Sequence, residues 1–135
     1  MVDPIREGVD IPPLAVHFSA ERNGRYCRLV NEINPLHFDA EYARALGYRD
    51  IVIAGVFTAS YFPELLDRWL GRAVRIEKMV LKFRVPAYLN DTVTYRGRVT
   101  KATNEGAFRR IECDLWSENA SGERLAQATV TARVG

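Results

Sequence analysis

The sequence has few of the residues that bind metals through sulfur. Its 135 residues include two cysteines, Cys27 and Cys113, which lie far apart and form no Cys-x-x-Cys or Cys/His spacing. This pattern disfavours a zinc site and is typical of reduced thiols in a cytoplasmic protein. We therefore expect no bound metal and a cytoplasmic location.

Strong net charge and long apolar runs are also missing from the sequence. The net charge of +2 is too small to predict nucleic-acid binding, and basic residues are scattered. No stretch approaches the run of about 18 apolar residues that a membrane span needs, and no early apolar run resembles a signal peptide. Apolar residues make up 47% of the chain, which is typical of globular proteins. The length predicts one domain over residues 1–135.

Residue patterns predict an early extended segment followed by two short helices. Residues 1–18 should be extended, because two adjacent prolines exclude a helix and the apolar side chains that follow alternate as in an edge strand. A serine then precedes a predicted helix over about residues 20–30. An aspartate precedes a second one over residues 40–46, where a glycine follows as a stop signal.

A longer apolar helix is predicted over residues 56–70. Its apolar positions recur at helical intervals and extend around more than one face, as expected for a helix enclosed by a sheet. Pro63 lies inside this segment, which predicts a kink or break near Tyr61 and Phe62.

The remainder of the sequence predicts antiparallel strands. The alternation of apolar residues changes phase within residues 74–85, which indicates a bulge near Glu77 and Lys78. Turn residues separate three further strands, which are predicted over residues 93–99, 111–115 and 126–134. The fold class is therefore α+β, with a curved antiparallel sheet able to wrap around one long central helix.

The loop from Glu32 to His37 is the first candidate for a functional site. Its carboxylate and imidazole are five residues apart, and Asn34 and Pro35 lie between them. Pro35 disfavours helical geometry at Asn34 and lacks an N–H, so a tight kinked loop is predicted. Such a loop can aim the two side chains at one water molecule and polarise it. The alternative is an ordinary turn before a helix, with Glu32 solvated and His37 a capping or packing residue.

The same loop carries a resemblance to a known family. The chain resembles the MaoC-like hydratase/dehydratase family of hotdog-fold proteins, whose motif runs approximately Gly-Asp-x-Asn-Pro-Ile/Leu-His-x-Asp. The matching residues are Asn34-Pro35-Leu36-His37 and Asp39, then Ala43, Gly47, Ile53 and Gly55 at the family's distances, and downstream Lys82-Phe83-Arg84-Val85-Pro86 with Asn90-Asp91-Thr92.

This resemblance implies an activity and a set of site residues. The activity is interconversion of trans-2-enoyl and (3R)-3-hydroxyacyl thioesters, with coenzyme A or acyl carrier protein as part of the substrate and no other cofactor. Glu32 stands where the family has its catalytic aspartate, and His37 stands at its catalytic histidine. Asn34 matches the asparagine that orients the acid and the loop. Gly55 stands where a backbone amide at a helix start faces the thioester carbonyl.

The proposed role of Gly55 also has a physical basis. Unsatisfied N–H groups and the positive end of the helix dipole meet at a helix start, and glycine lets a thioester approach closely. A tight strand-to-helix junction is the alternative explanation of this glycine. Apolar and hydroxyl side chains that follow it are candidates for the substrate pocket, namely Phe57, Thr58, Tyr61 and Phe62.

Three residues depart from the family motif. Glu32 replaces aspartate and adds a methylene, Asn31 replaces a glycine, and Ala54 replaces the histidine before Gly55. If position 31 needs a positive φ angle, asparagine is the most tolerant substitute for glycine. The departures leave open an active enzyme, a weak one, or a subunit that supports an active partner in a heterodimer.

Two further expectations concern a rival activity and assembly. A hotdog thioesterase would use a carboxylate on the central helix, where Glu64 and Asp67 are candidates. A single curved sheet leaves an exposed edge, so we expect a homodimer or larger assembly, and a heterodimer is the alternative.

Overall fold

The computed structural model describes residues 5–71 and 74–135. Within these residues the helices precede four of the five strands. The elements in chain order are β1 (Asp10–His17), α1 (Ala20–Leu29), a 3₁₀ turn (Pro35–His37), α2 (Ala40–Ala45), α3 (Gly55–Ala59), α4 (Tyr61–Leu70), β2 (Val74–Phe83), β3 (Thr92–Asn104), β4 (Arg109–Glu118) and β5 (Arg124–Val134). None of these described helices is long and apolar enough to cross a membrane.

The five strands form one antiparallel sheet in the order β1-β3-β4-β5-β2. Alternate residues of its central strands are buried, as the period of two in a strand requires. The largest of these inward side chains are Val93, Tyr95, Val99, Ile111, Leu115 and Val130. Their outward neighbours are mostly polar, so only one face of the sheet forms the core.

The sheet wraps around helix α4. Flat strands lie about 4.8 Å apart, so the two edges of five strands would be roughly 19 Å from each other. A helix is only about 10 Å in diameter, yet α4 packs against β1 and β2, which are the two edges, as well as β3. The sheet must therefore curve around the helix. This confirms the predicted α+β class and the curved antiparallel sheet around a helix.

The predicted central helix consists of two segments, α3 and α4, which are separated at Ser60. Pro63 is the third residue of α4. A proline in the first turn of a helix removes an N–H that would have no partner there. Pro63 therefore lies in the first turn of α4, and the predicted break near Tyr61 and Phe62 is confirmed at the adjacent Ser60.

The two predicted short helices agree with the structure to within one residue, but the predicted extended segment does not. Its residues 5–8 form turns and bends, Gly8 has a φ of 85°, and β1 begins only at Asp10. Ser19 caps α1 by accepting from the Arg22 N–H at 3.1 Å. Asp39 caps α2 by accepting from the Tyr42 N–H at 3.2 Å. The predicted bulge is present, because the register of β2 shifts between Ile76 and Lys78. The first four residues of the predicted extended segment lie outside the described residues.

Candidate active site

The loop that carries Glu32 begins with a residue whose backbone is in the left-handed conformation. Asn31 has a φ of 58°, and the Glu32 N–H donates to the carbonyl oxygen of Cys27 at 2.9 Å. Glycine favours this conformation, and asparagine tolerates it better than other residues. The need for a positive φ angle at position 31 is therefore confirmed, and asparagine meets it.

Local hydrogen bonds build the corner of this loop. One oxygen of Glu32, Oε1, accepts from the backbone N–H groups of Ile33 at 3.1 Å and Asn34 at 3.0 Å. The Asn34 Oδ1 accepts from the Leu36 N–H at 3.1 Å and caps the 3₁₀ turn, whose first residue is Pro35. Asn34 thus holds the carboxylate with its backbone and the turn with its side chain. The second oxygen of Glu32 takes no part in these bonds.

The imidazole of His37 is fixed in one tautomer. Its Nδ1 lies 2.8 Å from the carbonyl oxygen of Val52. A carbonyl can only accept, so Nδ1 carries the proton, and the neutral ring leaves a lone pair on Nε2. A second bond, from the Val52 N–H to the Leu36 oxygen at 3.2 Å, ties the same two segments together. His37 therefore presents a nitrogen that can accept a proton.

His37 and Gly55 line the same cavity. Its volume is about 270 Å³, and its other walls are Tyr48, Val52, Ile53, Phe83, Arg84, Val85, Pro86 and Ala87. Gly55 is the first residue of α3, and within the described residues its N–H has no hydrogen-bond partner. A Cβ atom on Gly55 would lie 3.2 Å from the Phe83 ring, so glycine keeps this approach open. The cavity thus combines a proton acceptor with a free amide donor.

Glu32 lies in a neighbouring groove instead. That groove is lined by Gly24, Cys27, Arg28, Asn31, Glu32 and Phe38. No hydrogen bond or ion pair joins Glu32 to His37 in the described part of the chain. The two side chains share a short loop, and their convergence on one water molecule stays a prediction.

The four predicted pocket residues do not line the cavity beside His37. Phe62 is fully buried in the core. Phe57 and Tyr61 pack edge-on against the ring of Phe18, at centroid distances of 5.4 and 5.7 Å. The Thr58 hydroxyl donates to the Gly55 carbonyl at 2.9 Å. Their part in acyl-chain binding stays a prediction, which would require these side chains to move.

The cavity walls that the sequence did not reveal come from two distant segments. The Ile53 N–H donates to the Ala87 oxygen at 2.9 Å, and an isolated bridge pairs Val52 with Tyr88. These bonds bring residues 48–53 against residues 83–87. The alternation of Phe83 and Val85 indicated a strand, but no local signal identified its partner.

Burial and charge around Glu32 alter two neighbouring groups. Burial raises the pKa of the Cys27 thiol, the Glu32 carboxylate raises it further, and Arg28 opposes both effects. Burial and the Glu32 charge likewise raise the pKa of Tyr26, whose ring stacks on Phe57 at 4.2 Å. The carboxylate is therefore close enough to both groups to act on them electrostatically.

Alkylation of Cys27 tests this placement of Glu32. The thiolate is the reactive form, so Glu32→Gln should lower the pH midpoint of iodoacetamide modification and speed the reaction at a fixed pH. Arg28→Gln should move the midpoint the opposite way, since it removes a positive charge. Cys113 serves as an internal control that should not react, because burial raises its pKa to about 12. An unchanged midpoint in Glu32→Gln would show that the carboxylate is not beside the thiol.

Comparisons with known proteins find relatives of similar sequence. A 3-hydroxyacyl-(acyl-carrier-protein) dehydratase of Solanum lycopersicum is 35% identical over 68 residues, which are 50% of this chain and 41% of that protein. The (R)-specific enoyl-CoA hydratase of Aeromonas caviae is 30% identical over 118 residues, covering 87% of this chain and 88% of that one. The chain spans less than half the length of the two plant dehydratases that it matches.

A solved structure and a family model extend the comparison to most of the chain. The ChsH1–ChsH2 complex of Mycobacterium tuberculosis superposes with a TM-score of 0.84 at 25% identity, covering 96% of this chain and 98% of that one. The fold is therefore the expected hotdog fold. The family model for the MaoC like domain matches residues 5–115. The chain belongs to the MaoC-like family.

Proposed function

We propose that this chain is a hydratase/dehydratase that interconverts trans-2-enoyl and (3R)-3-hydroxyacyl thioesters. The observation that carries the proposal is the His37 imidazole, whose Nδ1 is bound to the Val52 carbonyl, which leaves Nε2 as an acceptor, and which lines the same cavity as Gly55. Similarity to an (R)-specific enoyl-CoA hydratase and to a 3-hydroxyacyl-(acyl-carrier-protein) dehydratase supports the same reaction.

The proposed hydration needs a base, a proton source and an oxyanion site. His37 Nε2 accepts a proton from water, whose oxygen then forms a bond to Cβ as the double bond shifts toward the carbonyl. The Gly55 N–H stabilises the resulting enolate oxygen. Glu32 shares the water through its second oxygen, and the proton gained in the first step returns to Cα. Dehydration follows the reverse path.

We propose that the reaction needs no metal or organic cofactor. Acid–base chemistry and one backbone amide supply each step, and coenzyme A or acyl carrier protein enters as part of the substrate. We also propose a cytoplasmic location and no nucleic-acid partner. Two unpaired thiols, Cys27 and Cys113, are consistent with a reducing compartment.

Substitution of the two histidines tests the assignment of the base. His37→Ala should lower kcat/KM for hydration of crotonyl-CoA and longer trans-2-enoyl-CoAs by about 10²- to 10⁴-fold. His17→Ala is the matched control, because His17 is exposed on β1 and its side chain bonds only to the Thr92 hydroxyl in the described chain. Melting curves of both variants check that they fold. Equal turnover of His37→Ala and the parent chain would reject the site.

Glu32→Asp refines the same experiment. The loop amides of Ile33 and Asn34 are bound to the longer side chain, so a shorter acid moves the carboxylate by about 1 Å and should cost up to ~100-fold in rate. An unchanged or raised rate would mean that the glutamate is only a tolerated variant of the family aspartate.

The second candidate is a hotdog subunit that supports an active partner. Ala54, at the cap of α3, makes no side-chain cap bond where the family carries a histidine. The chain is also 32% identical over 101 residues to the beta subunit of a CoA-thioester hydratase of Mycobacterium tuberculosis. If no chain length and no carrier gives turnover with the purified chain, this candidate replaces the first.

A thioesterase role receives less support. Glu64 is ion-paired with Arg68 at 3.0 Å, and Asp67 is exposed. Neither carboxylate lines the cavity beside His37. We therefore expect no release of free thiol from acyl-CoA.

We further propose that the chain forms a homodimer through the free edge of β2. The other edge, β1, contains Pro12 and Pro13, which have no N–H to donate to another strand. β2 has no proline, and its side chains Val80 and Phe83 are 52% and 56% exposed. Exposed apolar side chains on an unpaired edge favour strand pairing. Because Phe83 also lines the cavity, a partner on this edge would help to enclose the site.

A charge placed on this edge tests the proposed dimer. Leu81→Lys should shift the mass in solution from about twice 15.3 kDa toward 15.3 kDa, as measured by light scattering after gel filtration. Ala15→Lys places the same charge on β1 and should leave the mass unchanged. Dissociation by the β1 variant alone would place the interface on the opposite edge.

A further inference from the structure

Two polar residues are buried in the described part of the chain, Asn23 and Ser117. Asn23 lies in the middle of α1 and is only 4% exposed. Asparagine is a poor helix former, and burying its amide is costly unless the amide is hydrogen-bonded. Its location therefore needs an explanation in terms of what it binds.

Asn23 binds the backbone of the proposed base. Its Nδ2 donates to the carbonyl oxygen of His37 at 2.9 Å. Cys27 lies one helical turn later on the same face of α1, and its Sγ is 3.5 Å from the same oxygen and 3.9 Å from the Asn23 Oδ1. Since a carbonyl can only accept, the NH₂ end of the amide must face His37. The Asn23 Oδ1 can then accept a hydrogen bond from the Cys27 S–H.

His37 is consequently held from two sides. Helix α1 holds its main-chain carbonyl, and the Val52 carbonyl holds its ring at Nδ1. The 3₁₀ turn that contains His37 has only three residues, and so short a turn has little stability of its own. The direction of the ring therefore depends on contacts made by other elements.

We infer that Asn23 is a positioning residue for the proposed reaction. By fixing the His37 carbonyl, it keeps Nδ1 on the Val52 oxygen and Nε2 in the cavity with Gly55. This inference rests on the proposed function for its kinetic consequence, but the effect on the His37 tautomer is independent of any activity. The protonated Nδ1 form is the less common tautomer of a free histidine side chain, so loss of the anchor has a measurable signature.

The test combines ¹⁵N NMR of the histidine imidazoles with hydration kinetics. In the full chain the His37 ring should give the pattern of a protonated Nδ1 and an unprotonated Nε2. Asn23→Ala should shift this pattern toward the Nε2–H tautomer. It should also lower kcat by about 10- to 100-fold, because a displacement of about 1 Å is costly at a catalytic group. KM should stay within about twofold, since Asn23 touches no substrate.

Two further variants separate positioning from general stability. Asn23→Leu fills similar space with a good helix former but donates no hydrogen bond, so it should fold and give the same NMR and kcat changes. Ser117→Ala removes the other buried polar side chain and should leave the tautomer and kcat unchanged. Retention of the protonated Nδ1 signal in both Asn23 variants would overturn the inference, as would an equal loss of kcat in Ser117→Ala.

The two readouts also distinguish this inference from the proposed function. Absence of turnover in the parent chain would reject the proposed enzyme, and the change of tautomer in Asn23→Ala would still support the anchoring of His37. Normal turnover with an unchanged tautomer in both Asn23 variants would support the proposed enzyme and reject the anchoring of His37 by Asn23.

Discussion

A hydrogen bond of 2.8 Å from His37 Nδ1 to the Val52 carbonyl joins the two segments on which the site depends. One segment follows α1 and carries the proline-containing corner, and the other leads into α3. The bond selects the tautomer of the ring, leaves the second nitrogen as a proton acceptor and ties the corner to the segment that leads to Gly55. A histidine without this partner would be free to rotate and to exchange tautomers.

The surrounding structure supports this bond from several directions. The Val52 segment is itself tied to residues 83–87 through the Ile53–Ala87 hydrogen bond. Those residues continue from β2, which pairs with β5 along most of its length. The sheet thus holds the lining residues 83–87, while α1 holds the backbone of another lining residue, His37, through Asn23. Fold and site are connected by a small number of identifiable contacts.

The departures from the family motif have different physical consequences. Asn31 adopts the left-handed conformation that the family's glycine suggests, so this change is conservative in backbone terms. Glu32 uses one oxygen to bind two loop amides, which gives its longer side chain a defined local role. Ala54 removes a polar side chain beside Gly55 and leaves the helix start with backbone donors only. Asn31 and Glu32 thus each have a defined structural role in this loop, whereas Ala54 does not replace the polar group that the family has beside Gly55.

Much of the fold could be predicted because its signals are local. Prolines, capping residues and alternation are enough to identify the helices near Ser19 and Asp39 and the phase change at Ile76 to Lys78. The cavity walls could not be predicted in this way, because Tyr48 and Phe83 meet only through long-range pairing. Asn23 was missed for a similar reason, since its partner is a carbonyl 14 residues away and a lone asparagine in a helix carries no signal.

The most direct measurement is a crystal structure of the assembled protein with a non-reactive acyl-thioester analogue. We expect the thioester oxygen to accept from the Gly55 N–H and His37 Nε2 to lie within hydrogen-bond reach of a water molecule beside Cβ. The bond between His37 Nδ1 and the Val52 carbonyl should persist. A thioester bound away from Gly55, or a His37 ring turned so that Nδ1 leaves Val52, would rule out this site.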